Sequence, residues 1–116
     1  MPWDVRYFEG ADGRAPVRDF LLSLPPKHRA KVRHAIGRLS LFGPRLGFPD
    51  TSHVRDTAFR ELRTRFAGAQ YRVLYVQDRE TFILVVGFRK TGERDLEAAV
   101  RDAEKCLESY RSKPRT

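Results

Sequence analysis

The sequence predicts an α+β fold: a mainly antiparallel four-stranded sheet, an N-terminal helical hairpin on one of its faces, and a C-terminal helix. Three observations lead there. Between Phe59 and Lys90, FRELRTRFAGAQYRVLYVQDRETFILVVGFRK, three strand-like runs are separated by turns of only a few residues. The second and third runs are rich in Val, Ile, Leu, Tyr and Phe, which fit a pleated, half-buried surface, and turns that short join only antiparallel neighbours. Ahead of them, two stretches opened by proline carry apolar residues at helical spacing. Behind them, a third such stripe runs toward the C-terminus.

Taken in order, residues 3–8 are the first strand candidate, with Trp3, Val5 and Tyr7 alternating against Asp4 and Arg6. Gly10 and Gly13 mark a turn. Pro16 opens a short helix whose stripe is Val17, Phe20, Leu21 and Leu24. Pro25–Pro26 breaks it and begins a second helix, running to about Phe42, with Val32, Ala35, Ile36, Leu39 and Phe42 inward. Lys27, Arg29, Lys31, Arg33 and Arg38 cover its other faces with no acidic residue among them. A merely solvated face mixes signs, so a phosphate-facing or acidic-partner-facing helix is expected.

Residues 43–57, GPRLGFPDTSHVRDT, read as a loop studded with glycine and proline. Loops this long in compact domains tend to be functional. This one delivers His53, Arg55 and Asp56 to the edge of the next strand. Strands are then expected at 59–66, 70–77 and 81–89. The last helix carries Leu96, Ala99, Val100, Ala103, Leu107 and Tyr110, with Cys106 beside them as a small buried hydrophobe. The basic tail from about residue 112 is expected to fray.

Side chains alternate faces along a strand. One self-consistent sheet puts Leu62, Val73, Tyr75, Leu84 and Val86 on the core side, and Glu61, Arg63, Arg72 and Arg89 on the other. Arg65 shares the face of Arg63. Cations collected on one sheet face suit an anionic partner, although ordinary solvated charges give the same pattern.

Composition narrows the function. The 116 residues fit one domain, 1–116, and a hydrophobic share of 41% with 33% charged residues fits a soluble globular protein. No apolar run approaches the roughly 20 residues of a membrane span, and the opening MPWDVRYFEG lacks a basic region followed by an apolar one, so no targeting segment is expected. The single Cys106 excludes an internal disulfide, and His28, His34 and His53 show no metal spacing. A cytoplasmic protein without metal or cofactor is expected. The formal charge of +8 points to nucleic acid, ribosome or an acidic protein, with a merely soluble basic protein as the alternative.

FGPRLGFP followed by FRELRTRF, AQYRVLYV, VVGFRK and a terminal helix resembles the HigB-like branch of the RelE/ParE toxin superfamily. The resemblance covers nearly the whole chain and is most specific over Phe42 to Lys90. It implies a small RelE-like fold and the toxin of a type II toxin–antitoxin module. Such a toxin enters the ribosome and cuts mRNA without metal, inhibiting translation. The implied partners are a cognate helix-turn-helix, HigA-like antitoxin, the ribosome and mRNA. Arg63 of ELR, Arg72 of QYR, and Arg89 and Lys90 of GFRK fall where these toxins keep basic residues at the active face. Three features depart from the pattern: Tyr110 is the only late aromatic, Ala58–Phe59 precedes the ELR motif where a pair such as Leu-Trp or Leu-Tyr is expected, and Glu61 stands where a Lys-x-Lys pair is common.

RNA cleavage of this kind uses the adjacent 2′-hydroxyl as nucleophile. It needs a base, charge relief at phosphorus, and an acid for the leaving 5′-oxygen. Arginine suits the second need, because its fork binds two phosphate oxygens and stays charged. The expected catalytic set is therefore Arg63, Arg72, Arg89, Lys90 and Glu61, with Glu61 as base or orienter and Lys90 as acid. Lys27, Arg29, Lys31, Arg33, His53, Arg55 and Arg65 are expected to bind substrate or ribosome, and His53 is also a base or acid candidate. Two other functions share the fold: a ParE-like gyrase inhibitor with no catalytic site, and a nucleic-acid-binding regulatory module.

Overall fold

The computed structural model describes residues 2–112, so of the expected frayed tail residues 113–116 lie outside the described part. Residue 112 still belongs to a helix. The strands are β1 (Asp4–Tyr7), β2 (Thr51–His53), β3 (Arg60–Phe66), β4 (Ala69–Asp78) and β5 (Thr81–Arg89). The helices are α1 (Pro16–Ser23), α2 (Pro26–Phe42) and α3 (Glu93–Ser112).

The sheet has five strands, not four, in the order β1-β5-β4-β3-β2. It is mixed: β1 runs parallel to β5, and the remaining pairs are antiparallel. The extra strand, β2, lies inside the stretch expected to be a loop. Glycine and proline hide it in the sequence, and three residues are too few to show an alternation. Its anchor is Thr51, fully buried, whose Oγ1 donates to Leu46 O at 2.8 Å and accepts from Arg60 Nη2 at 2.9 Å.

Both faces of the sheet are covered. Val17 and Leu21 of α1 and Val32, Ile36 and Leu39 of α2 pack with Leu62, Val73, Tyr75, Phe82 and Leu84. On the opposite side, Ala99, Ala103 and Leu107 of α3 pack with Leu74, Val76, Ile83, Val85 and Val86. The two N-terminal helices form less of a hairpin than expected. α1 packs chiefly on β5 and α2 chiefly on β3, each more than on the other.

The alternation breaks at one point in β5. Leu74 pairs with Val86 but Tyr75 with Leu84, leaving Val85 as the extra residue of a bulge. Val86 therefore joins the α3 side, not the side of Leu84 where strict parity put it. Gly87 falls on the α1 side against the Phe20 ring, where an added Cβ would come within 2.8 Å of Phe20 Cγ. Arg89 is displaced to that side as well, opposite Tyr71.

Arg29 is committed to the fold. Its Nε donates to Leu21 O at 2.8 Å and Nη2 to Leu24 O at 3.0 Å, so it ties down carbonyls at the end of α1. It was expected to be a docking cation, but its guanidinium is spent on structure. Arg29→Ala is expected to lower unfolding stability by about 1–3 kcal/mol in urea titrations. An unchanged midpoint would return it to the free surface cations.

The start of α3 is fixed by Asp95, whose Oδ2 accepts from Thr91 N at 2.7 Å, Thr91 Oγ1 at 2.7 Å and Gly92 N at 3.1 Å. This is the return half of a capping box. These bonds, that of the Thr91 side chain first, hold the Asp95 carboxyl below its ordinary range. A carboxyl depressed on folding stabilises above its unfolded pKa and loses that contribution as pH falls through its folded value. Acid melts should therefore show part of their stability loss below about pH 4 vanish in Asp95→Asn. Identical pH profiles for the two proteins would contradict the cap. Among the described residues, no helix is long and apolar enough to cross a membrane. Cys106 is half-buried, and burial pushes its thiol up, as suits a packing role.

Candidate functional site

The antiparallel pairing of β3 and β4 sets Arg63 directly opposite Arg72. Like charges facing across a ladder repel. Glu61, two residues before Arg63 and on the same face, answers both. Its Oε1 accepts from Arg63 Nε at 2.9 Å and lies 3.6 Å from Arg72 Nε. Arg72 is held further by Nη1 donating to Tyr71 O at 3.2 Å and Nη2 to Gln70 Oε1 at 3.0 Å.

Depth separates the roles. Glu61 is 5% exposed and Arg72 6%, whereas the Arg63 side chain keeps 30% of its surface and Arg65 is exposed. Arg72, expected to grip a phosphate, is beneath the surface with its fork already occupied. Burial lowers its basicity most, Glu61 opposes that, and Arg63 and Arg65 add to it. A guanidinium keeps its proton regardless. Two buried atoms, Glu61 Oε2 and Arg72 Nε, have no hydrogen-bond partner. Two guanidinium groups, those of Arg63 and Arg72, thus share one buried carboxylate.

The bulge in β5 exchanges the roles of its last two cations. Arg89 stands opposite Tyr71 on the α1 and α2 side, away from Arg63 and Arg72. Lys90 N donates to Gln70 O at 2.8 Å, which carries the ladder one residue further and brings Lys90 to the face of Arg72. Strict alternation from Leu84 gave the reverse.

Other expected contacts scatter. His53 pairs with Arg60, on the opposite face from Arg63 and three residues along β3, and its Nε2 donates to Thr57 O at 2.7 Å. It is not gathered with the arginines. Arg55 is exposed on the turn after β2. On α2, Lys27 and Arg33 are exposed, Lys31 sits 5.3 Å over the Phe66 ring, and Arg38 pairs with Asp50 at 3.1 Å. Tyr110 donates from Oη to Asp78 Oδ2 at 2.6 Å, at the far end of β4 from Arg72.

Two residues escaped the sequence reading. His28 places Nδ1 2.7 Å from Tyr71 Oη, edge-on to both Phe66 and Tyr71. With Lys31 and the displaced Arg89 it forms a second basic group, on the reverse side of the same sheet end. Its position four residues before Val32, on the inward stripe of α2, was the available signal. Phe48 is 78% exposed, its ring centroid 5.6 Å from the Arg63 guanidinium carbon. Nothing in its loop's sequence points to that contact.

No curated protein matches the chain in sequence. The family model described as Phage derived protein Gp49-like (DUF891) matches residues 19–108, from α1 into the last turns of α3. This is a RelE-like toxin family associated with toxin–antitoxin toxins, which implies an antitoxin partner. The chain belongs to the Gp49-like (DUF891) family.

Proposed function

We propose that this protein is the toxin of a type II toxin–antitoxin module and stops translation by cutting mRNA on the ribosome. A helix-turn-helix, HigA-like antitoxin would hold it inactive. The observation that carries this reading is the facing pair Arg63 and Arg72 around buried Glu61. A sheet selected for stability alone avoids like charges directly opposite and orphaned buried atoms. Such costly charge clusters concentrate at functional sites.

The roles follow from depth. Arg63, oriented by Glu61, and exposed Arg65 meet the scissile phosphate and relieve charge at phosphorus as the 2′-oxygen attacks, its proton passing to solvent water. Lys90, on the same face, protonates the leaving 5′-oxygen. Glu61 and Arg72 are positioning residues: the carboxylate fixes the Arg63 fork, and the buried cation fixes the carboxylate. The ribosome supplies orientation of the RNA, which is worth roughly 7–11 kcal/mol for ideal positioning. Lys27, Lys31, Arg33 and Arg89 give a basic surface for ribosomal RNA or an acidic antitoxin segment, and Arg55 adds a cation beyond β2, so antitoxin association should slow markedly as salt rises.

The test is induction of the chain in cells, with protein and DNA synthesis followed separately by pulse labelling. Protein synthesis should stop first while DNA synthesis continues. Replication failing first, with altered supercoiling, would instead mark a gyrase inhibitor. Growth without arrest would mark a regulatory module.

A further inference from the structure

Phe48 is the most exposed of the large apolar side chains among the described residues. At 78% exposed, its ring is open to a partner. The segment carrying it is tied down on both sides. Leu46 N donates to Gly43 O at 3.0 Å, Thr51 N to Gly47 O at 3.1 Å, and Thr51 Oγ1 to Leu46 O at 2.8 Å. Beyond it, Asp50 O accepts from Arg63 N at 2.8 Å, and Asp50 Oδ1 accepts from Arg38 Nη1 at 3.1 Å. The ring is thus held out on a fixed loop, in register with Arg63.

The Arg63 guanidinium lies by the ring, and the remaining surface is open. Arg45 of the same segment is exposed, and so is Arg65 of β3, two residues beyond Arg63. An aromatic face beside cations is the arrangement that binds single-stranded nucleic acid, the base stacking on the ring while its phosphate meets the cation. We propose that Phe48 is a nucleobase-stacking subsite for single-stranded RNA, holding the base next to the phosphate on Arg63. It rests on the reading above, that this face receives RNA.

The test uses the full chain and a short unstructured RNA in which 2-aminopurine, fluorescent until stacked, replaces one adenine. The wild type should bind at low salt and quench the fluorescence. Phe48→Ala and Phe48→Leu should each weaken binding about 5- to 150-fold and remove the quenching, whereas Phe48→Trp should retain both. The side chain is exposed, so circular dichroism should show all three variants folded. Unchanged binding and quenching by Phe48→Ala would overturn the subsite and mean that cations alone hold RNA. If Phe48→Leu keeps what Phe48→Ala loses, the ring is an apolar protein contact and the subsite is wrong. A wild type that binds no RNA also overturns it. Translation arrest in cells is scored separately, so none of these results decides the toxin reading.

Discussion

Arg63→Ala is expected to slow cleavage of ribosome-bound mRNA by on the order of a hundred- to a thousand-fold, the usual loss when one preorganised charge contact at a transition state is removed. Arg63 is the deepest of the arginines on this face that still reaches solvent, and Glu61 Oε1 at 2.9 Å fixes its fork. Arg63→Lys should recover only part of the rate, because a point charge cannot replace a planar fork. Losing the bond to Glu61 costs stability too, about 1–3 kcal/mol. Single-turnover rates on programmed ribosomes therefore need circular dichroism beside them. If activity falls only as far as the folded fraction does, Arg63 is structural and the assignment fails.

Glu61→Ala is expected to be the most destabilising change at the site. Arg72 would stay buried with Arg63 opposite and no counter-charge, a situation that costs about 3–5 kcal/mol. That is a large part of the 5–15 kcal/mol typical of a folded domain. Arg72→Ala should be damaging for the converse reason, since it leaves a buried carboxylate short of one partner. An Arg72 at the active face, as the sequence led one to expect, would be lost with little harm to the fold. Its burial reverses that expectation. The double change Glu61→Leu with Arg72→Met should recover much of the stability lost in Glu61→Ala, since apolar side chains of similar volume replace buried ion pairs well. It should not recover cleavage. Urea midpoints for the three variants decide this, and a double change no more stable than Glu61→Ala would contradict it.

Much of the fold was legible because the strong signals were local. β-branched and aromatic runs with short turns fixed β3, β4 and β5, and proline at the start of α1 and α2 fixed both helices. What escaped was set by pairing. β2 exists only because Thr51, Ser52 and His53 meet Leu62, Glu61 and Arg60. The bulge at Val85 leaves no mark in an unbroken apolar run, yet it moves Val86, Arg89 and Lys90 to the faces opposite those expected. Parity did bring Glu61, Arg63 and Arg72 together, because no irregularity lies between β3 and the first half of β4. It could not say that Arg72 is covered, since alternation sets the face and not the depth. Arg29 looked like one more surface cation until the end of α1 claimed it.

The most direct measurement of the central claim is cleavage of a defined mRNA on programmed ribosomes by the purified protein, with one 2′-deoxynucleotide placed at the mapped cut. All-ribose mRNA should be cut and carry a new 5′-hydroxyl end. The single 2′-deoxy substitution should abolish that cut, and Arg63→Ala should nearly abolish it on the ribose substrate. Equal cleavage of the deoxy substrate, or ribosomes arrested on intact mRNA, would contradict a 2′-hydroxyl attack organised around Glu61 and Arg63.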